Sequence, residues 1–212
     1  MSILKEGYPF IITAFLAGAA LAVVSRFTEL PAASAVCVAL GSLLIIFSLF
    51  CVYFFRDPKI KITHGEGNIL SPCNGTVMEV IENGDEKIIR VFLSIFSVHL
   101  QRAPVTGTVI DVLHKKGKFF TAWNPLAESK NEQNIITIQN KDGRYVVRQI
   151  AGFLARRCVS WVKPGDVLNV GDKIGMIKFS SQVDLHLPGS AEITVKNGDK
   201  TRAGITVVAL KT

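Results

Sequence analysis

The four histidines are the residues best suited to move a proton at neutral pH. They are His64, His99, His114 and His186. An imidazole with an ordinary pKa of about 6.5 exchanges its proton within the physiological range. No two of these histidines have the spacing of a metal-ligand pair, and the sequence lacks a His-Glu-x-x-His motif. Residue type alone therefore indicates structural strand histidines, and we predict no metal site.

Other familiar catalytic motifs are missing from the sequence. It has no Gly-x-Ser-x-Gly elbow, Walker loop or Gly-x-Gly-x-x-Gly fingerprint, which argues against hydrolase, nucleotide and dinucleotide functions. The four cysteines, Cys37, Cys51, Cys73 and Cys158, occur without a Cys-x-x-Cys pair. The cysteines therefore predict neither a zinc site nor a disulfide framework.

Three segments carry long and specific residue patterns. They read FLSIFSVHLQRAPVTG at residues 92–107, RQIAGFLARR at residues 148–157 and GMIKFSSQVDLHLP at residues 175–188. In this order they resemble the motifs of the short form of phosphatidylserine decarboxylase. Residues 6–10 (EGYPF) and 54–58 (FFRDP) are similar to the N-terminal region of that family. The resemblance thus covers nearly the whole chain.

This resemblance implies a decarboxylase that matures by cutting its own chain between Ser180 and Ser181. The Ser181 hydroxyl would attack the carbonyl of residue 180, and elimination and hydrolysis would leave a covalent pyruvoyl group at residue 181. Its ketone would act as an electron sink while CO2 leaves a phosphatidylserine-type headgroup, giving an ethanolamine headgroup. The resemblance implies no metal and no external cofactor. The partners would be the phospholipid substrate and a heterodimer of residues 1–180 and 181–212, with further dimerisation left open.

His99 falls on the motif histidine of the family, so the resemblance implies a role in proton transfer. Two positions depart from the family pattern, which has Gly in place of Ser180 and a triad Asp in place of Asn74. Serine makes a strained backbone harder to adopt than glycine does. An amide cannot take a proton or balance an imidazolium by charge, although it can accept a hydrogen bond from His99 and orient its ring. The alternative function is therefore an uncleaved, catalytically impaired homologue that binds lipid.

Several arginines could bind the phosphate or carboxylate of a headgroup, because a guanidinium binds such oxyanions through two hydrogen bonds. The candidates are Arg102, Arg148, Arg156 and Arg157. Salt bridging within the protein is an equally weighted alternative. Asp184 and His186 share one face of a predicted strand and could add an acid or a base. The family commonly has Asp at position 184, which favours a structural role there.

Two uncharged apolar segments precede Arg56, at about Pro9–Val24 and Ala32–Phe55. A membrane span needs about 20 apolar residues, so the second segment is long enough and the first is marginal. The connector Ser25–Pro31 predicts a tight turn. We predict a membrane-anchoring helical hairpin at residues 1–56, transmembrane or membrane-inserted, with a signal peptide as the alternative for the first segment.

The basic residues beside these segments predict an orientation. Lys5 precedes the first segment, and Arg56, Lys59 and Lys61 follow the second. Lys and Arg beside membrane helices mark the cytoplasmic side, so we expect residues 57–212 on the cytoplasmic face of the cell (inner) membrane. The net charge of +7 favours an anionic membrane as partner. No basic stripe with interleaved aromatic residues indicates nucleic-acid binding.

Residues 57–212 alternate short apolar runs with Gly, Asn, Asp and Pro, which predicts a β-rich catalytic domain. The runs are Thr76–Ile81, Lys87–Phe96, Thr108–Leu113, Asn134–Gln139, Arg144–Ile150, Lys173–Phe179 and Gln182–Leu187. Between Ile150 and Val162 the pattern leaves a strand or a short helix open.

Two patterns occur twice in this region. PxxGTVxxV begins at Pro72 and again at Pro104, and VKxGD begins at Val162 and again at Val195. Gly-Asp pairs favour hairpin turns. The two matched units predict a mainly β, pseudo-symmetric domain similar to the barrel-sandwich of biotinyl and lipoyl carriers. A membrane-tethered carrier is a third functional class, but the sequence lacks a Met-Lys-Met modification site. An ester-linked and an archaeal ether-linked lipid substrate both stay open.

Overall fold

The computed structural model describes residues 2–63, 65–118, 120, 126–152, 157–178 and 181–211, with the backbone alone for residues 127, 128 and 181. The chain divides into two compact units, Met1–Lys59 and Ile60–Thr212. Apolar helices make up most of the first unit, and strands make up most of the second.

The first unit is a pair of helices, α1 (Tyr8–Val24) and α2 (Pro31–Phe54). A short 3-10 helix, Lys5–Gly7, precedes α1, and strands β1 (Ser2–Ile3) and β2 (Arg56–Asp57) pair with each other. Lys5–Val24 has a mean hydropathy of 2.0 and Pro31–Phe54 one of 2.7, so both are long and apolar enough to cross a membrane. The predicted turn, Ser25–Pro31, is one residue too long at its C-terminal end. Pro31 begins α2, because its fixed φ suits the first helical position.

Small side chains allow α1 and α2 to approach closely. A Cβ atom added at Gly18 would lie 2.8 Å from the carbonyl oxygen of Gly41, and one at Gly41 would lie 2.9 Å from that of Gly18. Ser48 donates a hydrogen bond from Oγ to the carbonyl oxygen of Ile11 at 2.9 Å. Close contact between small residues is typical of helices that associate in lipid.

The described residues of the second unit include strands that form three sheets. Its strands are β3 (Asn68–Leu70), β4 (Gly75–Asn83), β5 (Glu86–Leu93), β6 (Leu100–Arg102), β7 (Gly107–Lys115), β8 (Gln133–Asn140), β9 (Gly143–Ala151), β10 (Arg157–Ser160), β11 (Val167–Leu168), β12 (Lys173–Lys178), β13 (Ser181–Pro188), β14 (Glu192–Ile193), β15 (Lys200–Thr201) and β16 (Val207–Leu210), and helix α3 spans Ala127–Lys130. The largest sheet has the order β11-β7-β8-β9-β13-β5-β4-β15, and the smaller ones are β10-β12-β6 and β14-β16-β3. The predicted mainly β class with an N-terminal helical pair is confirmed.

Most predicted strands match the observed ones to within two residues, but one is too long. The apolar pattern predicts a strand over Lys87–Phe96, whereas β5 ends at Leu93. The amide of Ser97 donates to the carbonyl oxygen of Ser94 at 2.9 Å, which turns the chain although Ile95 and Phe96 continue the apolar pattern. In the ambiguous stretch after Ile150, β10 is a strand, and residues 153–156 lie outside the described residues.

Hydrogen bonds confirm the predicted internal repeat. The amide of Val77 donates to the carbonyl oxygen of Asp199 at 2.9 Å, and the amide of Val109 donates to that of Asp166 at 2.8 Å. The two turns that carry these acceptors contain Gly198 at φ +92° and Gly165 at φ +94°. Glycine reaches this left-handed region without strain from a side chain. The β4/β5 and β7/β8 ladders shift register at matching places, just after Val77 and Val109.

The core lies on one face of the large sheet. Val91 on β5, Leu185 on β13, Val147 on β9 and Ile136 on β8 are all fully buried there. Their alternation along each strand follows the period of two residues that a sheet imposes. Burial of each such side chain contributes about 1.5–3 kcal/mol, so the core fixes the register of the strands that lead to the motif segments.

Candidate functional site

Three chain connections run from the large sheet to the sheet β10-β12-β6 at the same end of both sheets. The first joins β5 to β6 through Ser94–His99, the second joins β9 to β10, and the third joins β12 to β13. In the large sheet β13 lies between β9 and β5, and in the small sheet β12 lies between β10 and β6. Each connection comes from one of the three motif segments, so the fold brings these distant segments together.

The backbone of Ser181 is fixed on both sides. It is the first residue of β13, and it pairs with Leu93 on β5 and with Ala151 on β9. Asn131 in turn stabilises the end of β9, because its Nδ2 donates to the carbonyl oxygen of Ala151 at 2.7 Å. Ser180, the other residue of the predicted cleavage bond, lies outside the described residues.

His99 is buried at this end of the two sheets, with 1% of its surface exposed. Its carbonyl oxygen accepts a hydrogen bond from the Ile177 amide at 3.2 Å, which ties it to β12 near the strand end that leads to residue 180. Its Nδ1 lies 2.9 Å from the carbonyl oxygen of Ser97. Because a carbonyl oxygen only accepts, this contact assigns the proton to Nδ1 and leaves the lone pair of the neutral ring on Nε2.

Asn74 has a hydrogen bond that the repeat explains. Its Oδ1 accepts from the Ala203 amide at 3.0 Å. At the matching place in the other copy of the internal repeat, Thr106 Oγ1 accepts from the Val170 amide at 3.0 Å. The side chain at position 74 thus supplies an acceptor oxygen to a backbone amide, as its counterpart does. Both asparagine and aspartate can supply that oxygen.

The candidate arginines occupy different environments. Arg157 begins β10 opposite Lys178 and is exposed beside the three connections. Arg102 is buried, and its Nη1 donates to the carbonyl oxygen of Gly171 at 2.8 Å. Arg148 donates from Nε to Gln133 Oε1 at 2.9 Å. Arg156 lies outside the described residues. The contacts of Arg102 and Arg148 support the structural alternative for those two side chains.

Asp184 and His186 also have partners within the sheet. Asp184 is fully buried, and its Oδ1 accepts from Arg90 Nε at 3.2 Å and from Gln182 Nε2 at 2.7 Å. A buried carboxyl group needs partners of this kind within the protein. His186 Nδ1 lies 2.8 Å from Glu86 Oε1. These contacts favour a structural role for both residues.

The buried cysteines do not offer a nucleophile. Burial raises the pKa values of the Cys73 and Cys158 thiols well above the ordinary value. A thiol that stays protonated at neutral pH attacks poorly, because the thiolate is the reactive form. The group of His, Cys, Asp and Glu side chains needed for a metal ion also does not occur among the residues that the structure describes.

A cleft of about 460 Å³ lies at a different place in the β-rich unit. Thr63, Asn68, Thr106 and Lys141 are among the residues that line it. It contains neither His99 nor Ser181, so its size does not make it the candidate site.

The residues at the three connections fit a group derived from Ser181 itself. The serine is part of the chain, and its backbone is held between two strands. The His99 side chain is buried, and its Nε2 can accept a proton. Two buried glutamines, Gln101 and Gln149, also lie within the motif segments. They form hydrogen bonds near His99, yet residue type and spacing did not identify them as site residues.

Comparisons with known proteins match nearly the whole chain. The family sequence model described as phosphatidylserine decarboxylase matches residues 47–209. A phosphatidylserine decarboxylase proenzyme of Carboxydothermus hydrogenoformans is 44% identical over 177 residues, covering 80% of this chain and 83% of the relative. One of Citrifermentans bemidjiense is 38% identical over 216 residues, covering 97% of this chain and 94% of the relative. A candidate archaetidylserine decarboxylase proenzyme of Methanocaldococcus jannaschii is 39% identical over 186 residues, covering 77% of this chain and 90% of the relative.

Proposed function

The chain belongs to the phosphatidylserine decarboxylase family, and from this premise we propose that it is a membrane-bound decarboxylase that makes a pyruvoyl group from its own Ser181. The observation that carries the proposal is the convergence of the three motif segments at one end of two sheets. The substrate would be a phosphatidylserine-type lipid, and the products an ethanolamine headgroup and CO2.

In the proposed maturation the Ser181 Oγ attacks the carbonyl carbon of residue 180. The Oγ proton passes to the leaving peptide nitrogen as the amide becomes an ester. Elimination across the Cα–Cβ bond of residue 181 then releases the carboxylate of residue 180 and separates the two chains. Water finally replaces the nitrogen at residue 181, which leaves as ammonia, and a ketone remains.

His99 is the proposed proton carrier for both maturation and decarboxylation. The Nδ1 proton is donated to the carbonyl oxygen of Ser97 in a hydrogen bond. Nε2 is therefore the ring nitrogen that can take up a proton and return it. The ketone at residue 181 would supply the electron sink for loss of CO2. The protein supplies orientation and a water-poor environment for His99, and Arg157 is the proposed partner for the phosphate or carboxylate of the headgroup.

The anchor fits a substrate whose acyl chains remain in the bilayer. Both helices are apolar along their length, with large side chains such as Leu43 and Leu49 exposed. We propose that the helical pair and the net charge of +7 hold the domain at an anionic surface on the cytoplasmic side. After cleavage the enzyme would be a heterodimer of residues 1–180 and 181–212.

A second candidate function is an uncleaved homologue that binds lipid without decarboxylating it. The observation that favours it is the amide of Asn74, at a position where the resemblance implies a carboxylate. In a serine protease, replacing the triad Asp by Asn lowers the rate about 10⁴-fold. A comparable loss would leave the chain intact on an experimental timescale.

Gel electrophoresis and intact mass separate the two candidates. The proposed enzyme gives a C-terminal fragment of 32 residues, 181–212, with a ketone in place of its amino group, and it releases CO2 from serine lipids. Ser181→Ala should abolish both cleavage and CO2 release, whereas Ser129→Ala, at an exposed position of α3, should change neither. A wild-type chain that stays intact after long incubation with lipid contradicts the decarboxylase and supports the binding homologue.

Asn74→Asp tests the missing carboxylate directly. Aspartate keeps an acceptor for the Ala203 amide and adds a charge that can balance a protonated His99. We expect cleavage to become at least about 10-fold faster, measured as the half-time of the intact chain. An unchanged half-time would remove Asn74 from the maturation mechanism. Parallel assays with ester-linked and ether-linked serine lipids would decide the lipid class.

A further inference from the structure

A line of side-chain hydrogen bonds runs through the core of the β-rich unit and ends on His99. His114 Nδ1 lies 2.6 Å from Asn134 Oδ1, and Asn134 Nδ2 donates to Gln149 Oε1 at 3.1 Å. Gln149 Nε2 donates to Gln101 Oε1 at 2.7 Å. Gln101 Nε2 then donates to the carbonyl oxygen of His99 at 2.9 Å. Four hydrogen bonds therefore join β7, β8, β9 and β6 to the candidate site.

Every bond in this line points the same way. The amide oxygens and the His99 carbonyl oxygen only accept, so each nitrogen must donate toward His99, and His114 must carry its proton on Nδ1. Gln101 and Gln149 are fully buried, and Asn134 nearly so. A buried amide that loses its partner carries an unmet desolvation cost, which holds both glutamines in this orientation.

Gly175 on β12 leaves the space that Gln149 occupies. A Cβ atom at position 175 would lie 2.9 Å from Gln149 Nε2 and would also overlap the carbonyl oxygen of Val159. Any larger residue there would displace the Gln149 amide from Gln101. The strand that leads to residue 180 is therefore shaped around this line of hydrogen bonds.

Separate hydrogen bonds fix the backbone and the ring of His99. Its carbonyl oxygen receives Gln101 Nε2 as well as the Ile177 amide at 3.2 Å. Its ring is oriented separately, through Nδ1 and the Ser97 carbonyl oxygen. Gln101 thus fixes the backbone from which the imidazole projects, and the Ser97 contact sets the direction of the ring.

We propose that Gln101 and Gln149 are positioning residues that set the His99 imidazole relative to the strand entering the Ser180–Ser181 bond. This inference rests on the proposed function. Neither glutamine is proposed to touch the reacting bond. Each acts through His99, and a displacement of about 1 Å in such a group can lower a rate about 100-fold.

Methionine variants remove the hydrogen bonds while keeping charge and approximate volume. Gln101→Met and Gln149→Met should each slow cleavage at least about 10-fold and lower the unfolding midpoint, because each leaves buried polar groups unpaired. Gln139→Met on β8 is the matched control, since Gln139 Nε2 donates to the neighbouring Asn140 carbonyl oxygen at 2.9 Å, outside the line that ends on His99. It should cleave within about twofold of the parent.

The double variant separates positioning from stability. Gln101→Met/Gln149→Met removes both partners of one buried hydrogen bond but also the acceptor of Asn134 Nδ2, so the unfolding midpoint should fall by less than the sum of the two single losses. If the glutamines position His99, cleavage stays slow in the double variant. Cleavage at the parent rate in the double variant, or single variants that cut at the parent rate, would overturn the proposal.

An NMR measurement on uncut chains tests the proposal without any activity. In a Ser181→Ala chain labelled with ¹⁵N histidine, the His99 signals are assigned by their loss in His99→Gln. The shifts should report a proton on Nδ1, change in Gln101→Met and stay unchanged in Gln139→Met. Unchanged shifts in Gln101→Met would contradict positioning. If the parent chain never cuts, the proposed function fails while this measurement still decides the role of Gln101.

Discussion

The two halves of the large sheet are built alike but end differently. From its edges inward the sheet runs β15, β4, β5, β13 on one side and β11, β7, β8, β9 on the other. On the second side β8 and β9 are joined by a short turn between Asn140 and Gly143. On the first side the corresponding ends, Leu93 and Ser181, also pair, but their chains leave for the other sheet. The candidate site thus lies where the repeat would otherwise close a hairpin.

This difference suggests how one scaffold can carry a site in one half alone. The hydrogen bonds of the repeat are present in both halves, so they belong to the scaffold. The residues that only one half has, His99 and the strand entry at Ser181, are the ones proposed for chemistry. Matched substitutions in the two halves should therefore have equal effects on stability, and their effects on cleavage should differ only at positions next to the candidate site.

The largest expected effect is from alanine at the two glycines that open β4 and β7. A Cβ at Gly75 would overlap the carbonyl oxygen of Phe92, and one at Gly107 would lie 2.7 Å from that of Gln139. Each substitution should cost about 3 kcal/mol of unfolding free energy, because the neighbouring strand backbone must move. Urea unfolding in the uncut Ser181→Ala chain measures it. A tolerated Gly75→Ala alongside a damaging Gly107→Ala would contradict the equivalence of the halves.

The second comparison concerns Asn74 and Thr106. Alanine at either position removes the acceptor for one backbone amide, so each should cost about 1 kcal/mol. Cleavage should slow only for Asn74→Ala, measured as the half-time of the intact chain. Equal half-times for the two variants would mean that position 74 serves the scaffold alone.

A smaller effect is expected at the matched turns. Asp199 Oδ2 accepts from the Lys196 amide and Asp166 Oδ2 from the Lys163 amide, both at 2.9 Å. Alanine at either aspartate should cost about 0.5–1 kcal/mol, as for loss of a capping side chain. Thermal unfolding should show equal losses and cleavage should be unchanged. A loss confined to one turn would show that the hydrogen bonds are not equivalent.

The smallest effect concerns the turn that closes the second half. The hydrogen bond from Lys211 Nζ to Asp142 holds the pKa of that carboxyl below its ordinary value of 3.8. Because the pKa is lower in the folded chain, this pair stabilises the fold above the unfolded pKa, and the stabilisation is lost as pH falls through the folded pKa. In Lys211→Met a carboxyl NMR titration should find the Asp142 pKa raised toward the ordinary value. An unchanged titration would assign the low pKa to another group.

The sequence predicted those features that depend on local pattern. Alternating apolar residues gave β8 and β9, and the spaced Gly-Asp pairs gave the turns at Gly165 and Gly198. The end of β5 was missed because Ile95 and Phe96 are apolar, yet they lie in a turn, where Phe96 is 63% exposed. Composition cannot distinguish an exposed apolar turn from a continuing strand.

The site was predictable only in part for a different reason. The motif residues His99 and Ser181 were found by resemblance, and no local property of either would have identified them. The contact between Gln101 and Gln149 depends on which strands face each other across the core. That information arises from register and sheet order, which a single sequence does not contain. The acceptor role of Asn74 was likewise visible only once its counterpart, Thr106, could be compared.

The central place of β13 has a consequence for how the protein is assembled. This strand is hydrogen-bonded to β5 and β9 along most of its length, and the strands that follow it belong to both the large sheet and the sheet β14-β16-β3. In a chain cut before Ser181, the C-terminal fragment would stay bound through its strand pairings in both sheets. Once denatured, however, the two pieces could recombine only by collision, so refolding would depend on concentration. Cutting would therefore have to follow folding, and the mature protein would owe its persistence to slow unfolding.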